Sequence, residues 1–133
     1  YRKLTLAVRL VRAGAAFIGP NPDTTLPMHD GIIPGAGSFQ AAIRAATGVS
    51  AVVIGKPEPT MFLMGAERLG LAPAEVAMLG DRLDTDIVGA KRAGLAALMV
   101  LTGVSRLDDV ERSPEKPDRV FADLADVQAA LVG

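Results

Sequence analysis

The sequence has 133 residues, enough for one domain of ordinary size but hardly for two complete ones. Half of the residues are hydrophobic, 22% are charged and the net charge is −1, so the composition is that of a globular protein and gives no reason to expect a nucleic acid or an anionic membrane as a partner. The absence of cysteine excludes disulfide bonds and thiolate metal sites and fits a cytoplasmic protein, and no apolar run is long enough to span a membrane.

Helices and strands alternate along almost the whole sequence. Helical periodicity, capping residues and short apolar runs predict these elements. In chain order they are a helix at 4–11, a strand at 15–19, a helix at 38–47, a strand at 51–54, a helix at 59–69, a strand at 75–79, a helix at 84–93, a strand at 95–101, a helix at 107–112, a strand at 119–122 and a helix at 124–131. Residues 20–35 are rich in Pro, Asp, Asn and Gly and predict a long irregular segment.

This alternation predicts an α/β fold in which a parallel sheet carries helices on its faces. The predicted strands are continuous apolar runs, as expected when both faces of a sheet are covered. Ligands of such sheets bind at the carboxyl ends of the strands. The loops that follow the predicted strands are residues 19–35, 55–58, 80–86 and 102–105.

The most informative loop is residues 80–86, here called the acidic loop, which carries Asp81, Asp84 and Asp86 directly after a predicted strand. Three carboxylates so close together repel one another unless a cation or hydrogen-bond donors neutralise them, and Mg²⁺ prefers such oxygen ligands. Asp84 is well placed to cap the next helix. Asp81 has no such structural role and is interpreted as a metal ligand, whereas Asp86 fits either role.

Lys56 follows the predicted strand at 51–54. If that strand lies beside the one that ends at the acidic loop, the ammonium group would reach the same crevice and pair with carboxylates or with a phosphate. A single lysine in a loop is otherwise an ordinary solvated residue. It is the combination of the two motifs that indicates a phosphate site.

Four segments together carry a resemblance to a known family: GKPEPTMF at 55–62, GDRLDTDIVGAKRAG at 80–94, FIGPNPDTTLP at 17–27 and GIIPGAGSFQAAIRAATG at 31–48. In this order and spacing they strongly resemble the haloacid dehalogenase (HAD) superfamily. They are most similar to its C2-capped subfamily IIA, which includes p-nitrophenylphosphatase-like, phosphoglycolate, pyridoxal-phosphate and nucleotide phosphatases.

The resemblance implies a role for each matching residue. Lys56 matches the lysine that holds the nucleophile and the phosphoryl group. Asp81 matches the aspartate that binds Mg²⁺ directly, and Asp86 matches the acidic residue that supports the water shell of the metal. Asn21 and Asp23 match a cap loop that selects the substrate, a small phosphorylated metabolite. Relatives often form homodimers through the cap.

The resemblance also implies that the chain is only part of such an enzyme. Residues 1–51 correspond to the later part of the C2 cap and residues 52–133 to the later part of the core. The family attacks phosphorus with the first aspartate of a DxD motif after its first core strand, forming an aspartyl-phosphate. The single DxD here, Asp84-Thr85-Asp86, lies within the acidic loop and is rejected as the nucleophile. We therefore expect a C-terminal fragment that is inactive alone, from a parent that is a Mg²⁺-dependent phosphatase.

Two other interpretations remain open. The chain could be a non-catalytic HAD-like binding or interaction module, which the missing nucleophile favours. A receiver-like or nucleotide-binding domain is a weaker alternative, because the sequence has neither a P-loop nor a GxGxxG motif. His29, the single histidine, lies in the irregular segment, where it is more typically solvated than in contact with substrate.

Overall fold

A computed structural model describes residues 1–132 of the chain and confirms the predicted α/β class. The chain divides into two compact units, Tyr1–Gly55 and Lys56–Gly133. Within the described residues, no helix is both long enough and apolar enough to cross a bilayer.

The first unit combines two helices with two small pairs of strands. Helix α1 packs against helix α2, and β1 pairs in parallel with β4, with Ile18 opposite Val52. Gly48 ends α2 in the left-handed conformation, as its position after the helical pattern predicts. The elements are α1 (Arg2–Arg12), β1 (Ile18–Gly19), β2 (Thr25–Met28), β3 (Gly31–Pro34), α2 (Ala36–Thr47) and β4 (Val52–Val53).

The segment predicted to be irregular contains an antiparallel hairpin, β2 with β3. A two-residue turn at His29 and Asp30 joins the strands, and Gly31 follows it with a φ of +138°, which glycine adopts readily. Pro27 and Pro34 made these strands hard to recognise from the sequence, because proline lacks the amide hydrogen of a central strand. A two-stranded hairpin has only edge strands, which tolerate proline.

The boundary between the two compact units lies after Gly55, and the assignment of residues 1–51 to a cap and 52–133 to a core stays a prediction. Val52 and Val53 pair with β1 within the first unit. Gly55 also approaches the preceding loop closely, since a Cβ there would lie 1.7 Å from the carbonyl oxygen of Pro20.

The second unit is a three-stranded parallel sheet with helices on both faces. The strand order is β5-β6-β7. A 3₁₀ turn at Pro73–Glu75 precedes β5, and one turn of π-helix at Leu83–Ile87 leads into α4. The elements are α3 (Thr60–Leu69), β5 (Ala77–Gly80), α4 (Val88–Ala93), β6 (Ala96–Val100), α5 (Leu107–Arg112), β7 (Arg119–Phe121) and α6 (Leu124–Val132).

The core of this unit lies on the two faces of β6. Ala97 and Met99 are fully buried on one face together with Ile87 of the π-helical turn. On the other face, Val100 packs with Phe121 and Val127. The turn that carries the acidic residues is thus anchored in the core through Ile87, which gives the site a rigid base.

Candidate active site

Asp86 is the most buried ionisable residue of the acidic loop, with only 3% of its surface exposed. Its Oδ1 accepts a hydrogen bond of 2.6 Å from Nζ of Lys56. Its Oδ2 accepts hydrogen bonds from the backbone amides of Asp81 and Arg82, at 3.2 and 3.1 Å. A buried charge needs such partners, and together they fix the carboxylate at the carboxyl end of β5.

Gly80 makes this position of Asp86 possible. A Cβ at Gly80 would lie 2.4 Å from the Cβ of Asp86 and 2.6 Å from its Oδ2, closer than real Cβ atoms come. Gly80 does not have a positive φ, so its backbone conformation does not require glycine. Close packing against Asp86, rather than a sharp turn, therefore explains the glycine.

Lys56 contacts Asp86, but it does not follow a strand that lies beside β5, as the sequence analysis had considered. Strand β4 pairs with β1 of the first unit, so it is not a sheet neighbour of β5 in the described residues. Lys56 is instead the first residue of the second unit, shortly before α3. Its side chain is bound to Asp86 through the ammonium group and remains 44% exposed.

Asp81 follows β5 and is half-buried. Its Oδ2 accepts a hydrogen bond of 2.8 Å from the amide of Val104, and its carbonyl oxygen accepts one of 3.0 Å from the amide of Ser105. Among the described residues, no hydrogen bond reaches its Oδ1. One carboxylate oxygen at the end of a parallel strand is therefore left for a ligand.

Asp84 has a separate role from the other two aspartates. It is exposed and forms an ion pair with Arg82, whose Nη2 lies 2.7 Å from Oδ2. The hydrogen bond from the Arg82 side chain holds the pKa of Asp84 below its usual value. The prediction that Asp84 caps the helix is wrong, because the helical segment already begins at Leu83 with the π-helical turn.

Residues 102–105, after β6, contribute to the site through backbone groups that the sequence does not reveal. Oγ of Ser105 accepts a hydrogen bond of 3.1 Å from the amide of Leu83. Helix α5 is capped by Asp109, which accepts the Arg106 amide at 2.8 Å. The only signal for this loop was its position after the next strand of a parallel sheet.

Asn21 and Asp23 lie in the first unit, in the loop between β1 and β2. Oδ1 of Asn21 accepts the amide of Asp23 at 3.1 Å, and the Asn21 carbonyl accepts Nε2 of Gln40 at 2.7 Å. The amide of Gly37 donates to the Asp23 carbonyl at 2.7 Å. These bonds hold the loop by its backbone and leave the Asp23 side chain exposed.

The donor set of the second unit fits part of a magnesium site. No group of three or more His, Cys, Asp or Glu side chains suited to a metal occurs within residues 1–132. Mg²⁺ nevertheless needs few protein carboxylates, because it retains several waters and takes oxygens from the phosphate substrate. Oδ1 of Asp81 is suited to bind the metal directly. Asp86, which is already bound to Lys56, is suited to support the water shell of the metal.

Comparison with known proteins identifies the family. The model of the HAD-hydrolase-like family matches residues 53–127. The acid sugar phosphatase of Staphylococcus aureus is 44% identical over 131 residues, which are 98% of this chain and 51% of that protein. The chain thus spans about half the length of the curated relatives it matches.

Solved structures give the same result for the fold. The 4-nitrophenylphosphatase of Thermotoga maritima has a TM-score of 0.82 at 40% identity, over 98% of this chain and 51% of that one. The glycerol phosphate phosphatase of Mycobacterium tuberculosis, solved in complex with magnesium, has a TM-score of 0.80 at 41% identity, over 96% and 39%. The chain belongs to the HAD-hydrolase-like family, and its predicted resemblance to subfamily IIA of the HAD superfamily is confirmed.

Proposed function

We propose that this chain is the C-terminal half of a Mg²⁺-dependent phosphomonoester hydrolase and supplies the lysine and the metal-binding carboxylates of its active site. The observation that carries the proposal is the group formed by Lys56, Asp81 and Asp86. Lys56 and Asp86 form a partly buried ion pair. Asp81, which directly follows β5, is connected to this pair because its backbone amide donates a hydrogen bond to the Asp86 carboxylate. The three relatives named above are phosphatases, which supports the same chemistry.

Lys56 is proposed to bind the phosphoryl group. An ammonium group has three N–H donors, and Asp86 accepts one of them. The side chain is 44% exposed, so the other donors are accessible to phosphate oxygens. Asp86 would hold the ammonium in place and balance its charge before the substrate arrives.

Asp81 is proposed to bind Mg²⁺ through Oδ1. When bound, the metal would neutralise charge on the phosphate and on the attacking carboxylate. Asp86 would support the ligand shell, since two backbone amides of the acidic loop fix its orientation. Both carboxylates are held before the metal binds, so little reorganisation is required.

The attacking carboxylate is proposed to lie outside this sequence. Within the DxD of the acidic loop, Asp84 is exposed and paired with Arg82, and Asp86 is buried and paired with Lys56. Neither has the accessible, correctly placed oxygen that a nucleophile needs. The parent protein, of which this chain would form half, would supply it.

The substrate is proposed to be a small phosphate ester, in keeping with the acid sugar, nitrophenyl and glycerol phosphate phosphatases among the relatives. The first unit would be part of a cap and the second part of the core. Asn21 and Asp23 would help to select the substrate, because their loop is held by its backbone and presents an exposed carboxylate. Pairing of two copies through the first unit stays a prediction.

The experiment compares Asp81→Asn with Asp84→Asn in the parent protein, with p-nitrophenyl phosphate as substrate. We expect Asp81→Asn to lower Mg²⁺-dependent kcat/KM by about two orders of magnitude or more, because it removes a charged metal ligand. Asp84→Asn, which changes only an exposed ion pair, is expected to retain activity. Wild-type activity in Asp81→Asn would contradict the proposed role, and an inactive wild-type parent would favour the non-catalytic module.

A further inference from the structure

The loop at residues 102–105 is bound to the segment that carries the proposed metal ligand by three hydrogen bonds. The amide of Val104 donates to Oδ2 of Asp81 at 2.8 Å, and the amide of Ser105 donates to the Asp81 carbonyl at 3.0 Å. In the opposite direction, the amide of Leu83 donates to Oγ of Ser105 at 3.1 Å. The side chain and the backbone of Asp81 are thus both held by one short loop.

Gly103 allows this loop to approach. A Cβ at Gly103 would lie 2.0 Å from Oδ2 of Asp81 and 2.4 Å from both its Cβ and its Cγ, far inside the closest contacts that real Cβ atoms make. The φ angle of Gly103 is not positive, so the backbone conformation does not demand glycine. Glycine is required at this position because the Asp81 carboxylate occupies the space that a side chain would fill.

The loop makes little contribution to the core. Gly103 is exposed, and Val104 is 65% exposed. The hydrogen bonds of the loop go instead to the Asp81 carboxylate, the Asp81 carbonyl and the Leu83 amide, and so to the segment whose carboxylate the proposed mechanism needs in a fixed orientation. A carboxylate with Oδ2 engaged by an amide presents its other oxygen, Oδ1, to a metal.

We propose that Gly103, Val104 and Ser105 are positioning residues that orient Asp81 so that Oδ1 binds Mg²⁺. The inference rests on the proposed function, because it takes Asp81 as the metal ligand. It adds that the affinity for Mg²⁺ depends on a loop that supplies no ligand itself. Partners of this kind typically account for about 10- to 100-fold in metal affinity.

The test is Gly103→Ala in the parent protein, with the Mg²⁺ dissociation constant measured by isothermal titration calorimetry in the absence of substrate. We expect binding to weaken by about 10- to 100-fold, because the added methyl group displaces the carboxylate. Activity should recover in part at high Mg²⁺ concentration. The control is Glu111→Gln on α5, which changes an exposed side chain outside this loop. It is expected to bind Mg²⁺ as the wild type does.

A second pair of variants covers the case in which Gly103→Ala does not fold. Ser105→Ala removes the acceptor of the Leu83 amide and is expected to weaken Mg²⁺ binding several-fold, whereas Ser105→Thr keeps the hydroxyl and should restore it. Unchanged Mg²⁺ affinity in folded Gly103→Ala, or in Ser105→Ala if the former is unfolded, would overturn the inference. If Asp81→Asn also bound Mg²⁺ normally, the proposed function itself would fail, so the two failures are distinguishable.

Discussion

At the scale of single residues, the central feature is a buried carboxylate, Asp86, with three hydrogen-bond partners. Removing one member of a buried charged pair leaves the other groups without compensation, whereas an exposed ion pair contributes little to stability. Asp84 offers the comparison within the same turn of the chain, since its side chain is 66% exposed and pairs with Arg82. The two aspartates therefore differ in environment far more than in sequence context.

Asp86→Ala and Asp84→Ala are expected to differ sharply in stability. The first should lower the free energy of unfolding by about 2–3 kcal/mol, because two backbone amides and Lys56 lose their acceptor. This loss in the free energy of unfolding is smaller than for a fully buried ion pair, because the Lys56 side chain is 44% exposed and can be rehydrated. The second should cost less than about 1 kcal/mol. Chemical denaturation of both variants measures the difference, and equal losses would show that burial of Asp86 is not what stabilises the loop.

The sequence predicted a site that includes Lys56 and Asp81, but it could not show how Asp81 is held. Side chains at the carboxyl ends of parallel strands leave a recognisable pattern. The donor to Asp81 is a backbone amide, and every residue except proline carries one, so Val104 has no signature in the sequence. Gly103 gave a weak signal, since a glycine alone does not reveal which atom needs the space.

At the scale of secondary structure, one difference from prediction lies in the helix after the acidic loop. A single helix at 84–93 was predicted, whereas one π-helical turn at Leu83–Ile87 precedes α4. Side-chain periodicity does not reveal a locally widened turn, because both forms bury a residue such as Ile87. Turns of this kind are frequent at functional sites, and here the turn carries Asp86.

A second feature at this scale is a polar connection between α4 and the sheet. Lys91, late in α4, forms an ion pair with Asp118, which precedes β7. Oδ2 of Asp118 accepts the amide of Ala97 at 2.7 Å, and the Asp118 amide donates to the Ala97 carbonyl at 2.7 Å. The hydrogen bond from Lys91, followed by that from Ala97, lowers the pKa of Asp118.

The contribution of Asp118 should depend on pH. A carboxyl group whose pKa is lowered on folding stabilises the native state above its unfolded pKa, near 3.9, and this stabilisation is lost as pH falls through the lower folded pKa. We therefore expect Asp118→Asn to be less stable than the wild type at neutral pH and the difference to shrink below about pH 4. Thermal unfolding from pH 3 to 7 measures it, with the exposed Glu111→Gln as control. A difference that grows on acidification would contradict this assignment.

At the scale of the whole chain, the second unit has the surface expected of an incomplete core. Strand β5 has one sheet partner among the described residues, so its other edge is free there. Met61 and Met64 of α3 are 54% and 57% exposed, and Leu69 is 65% exposed. Met99 of β6, by contrast, is fully buried. Helical periodicity identified the apolar face of α3 correctly but not what covers it.

This surface agrees with a chain that spans about half the length of its relatives. Exposed apolar groups beside an unpaired strand edge are unfavourable in water. A further segment that pairs with β5 and covers α3 would remove both. In the proposed enzyme, the same segment would bring the attacking aspartate to the site of Lys56 and Asp81.

The most direct test of the account is to measure Mg²⁺-dependent hydrolysis of p-nitrophenyl phosphate by the parent protein and by the 133-residue chain alone, with circular dichroism to establish that the chain is folded. We expect turnover by the parent that requires Mg²⁺ and no turnover above background by the folded chain, since neither Asp81 nor Asp86 is proposed to act as the nucleophile. Turnover by the isolated chain, or a parent without Mg²⁺-dependent activity, would contradict it.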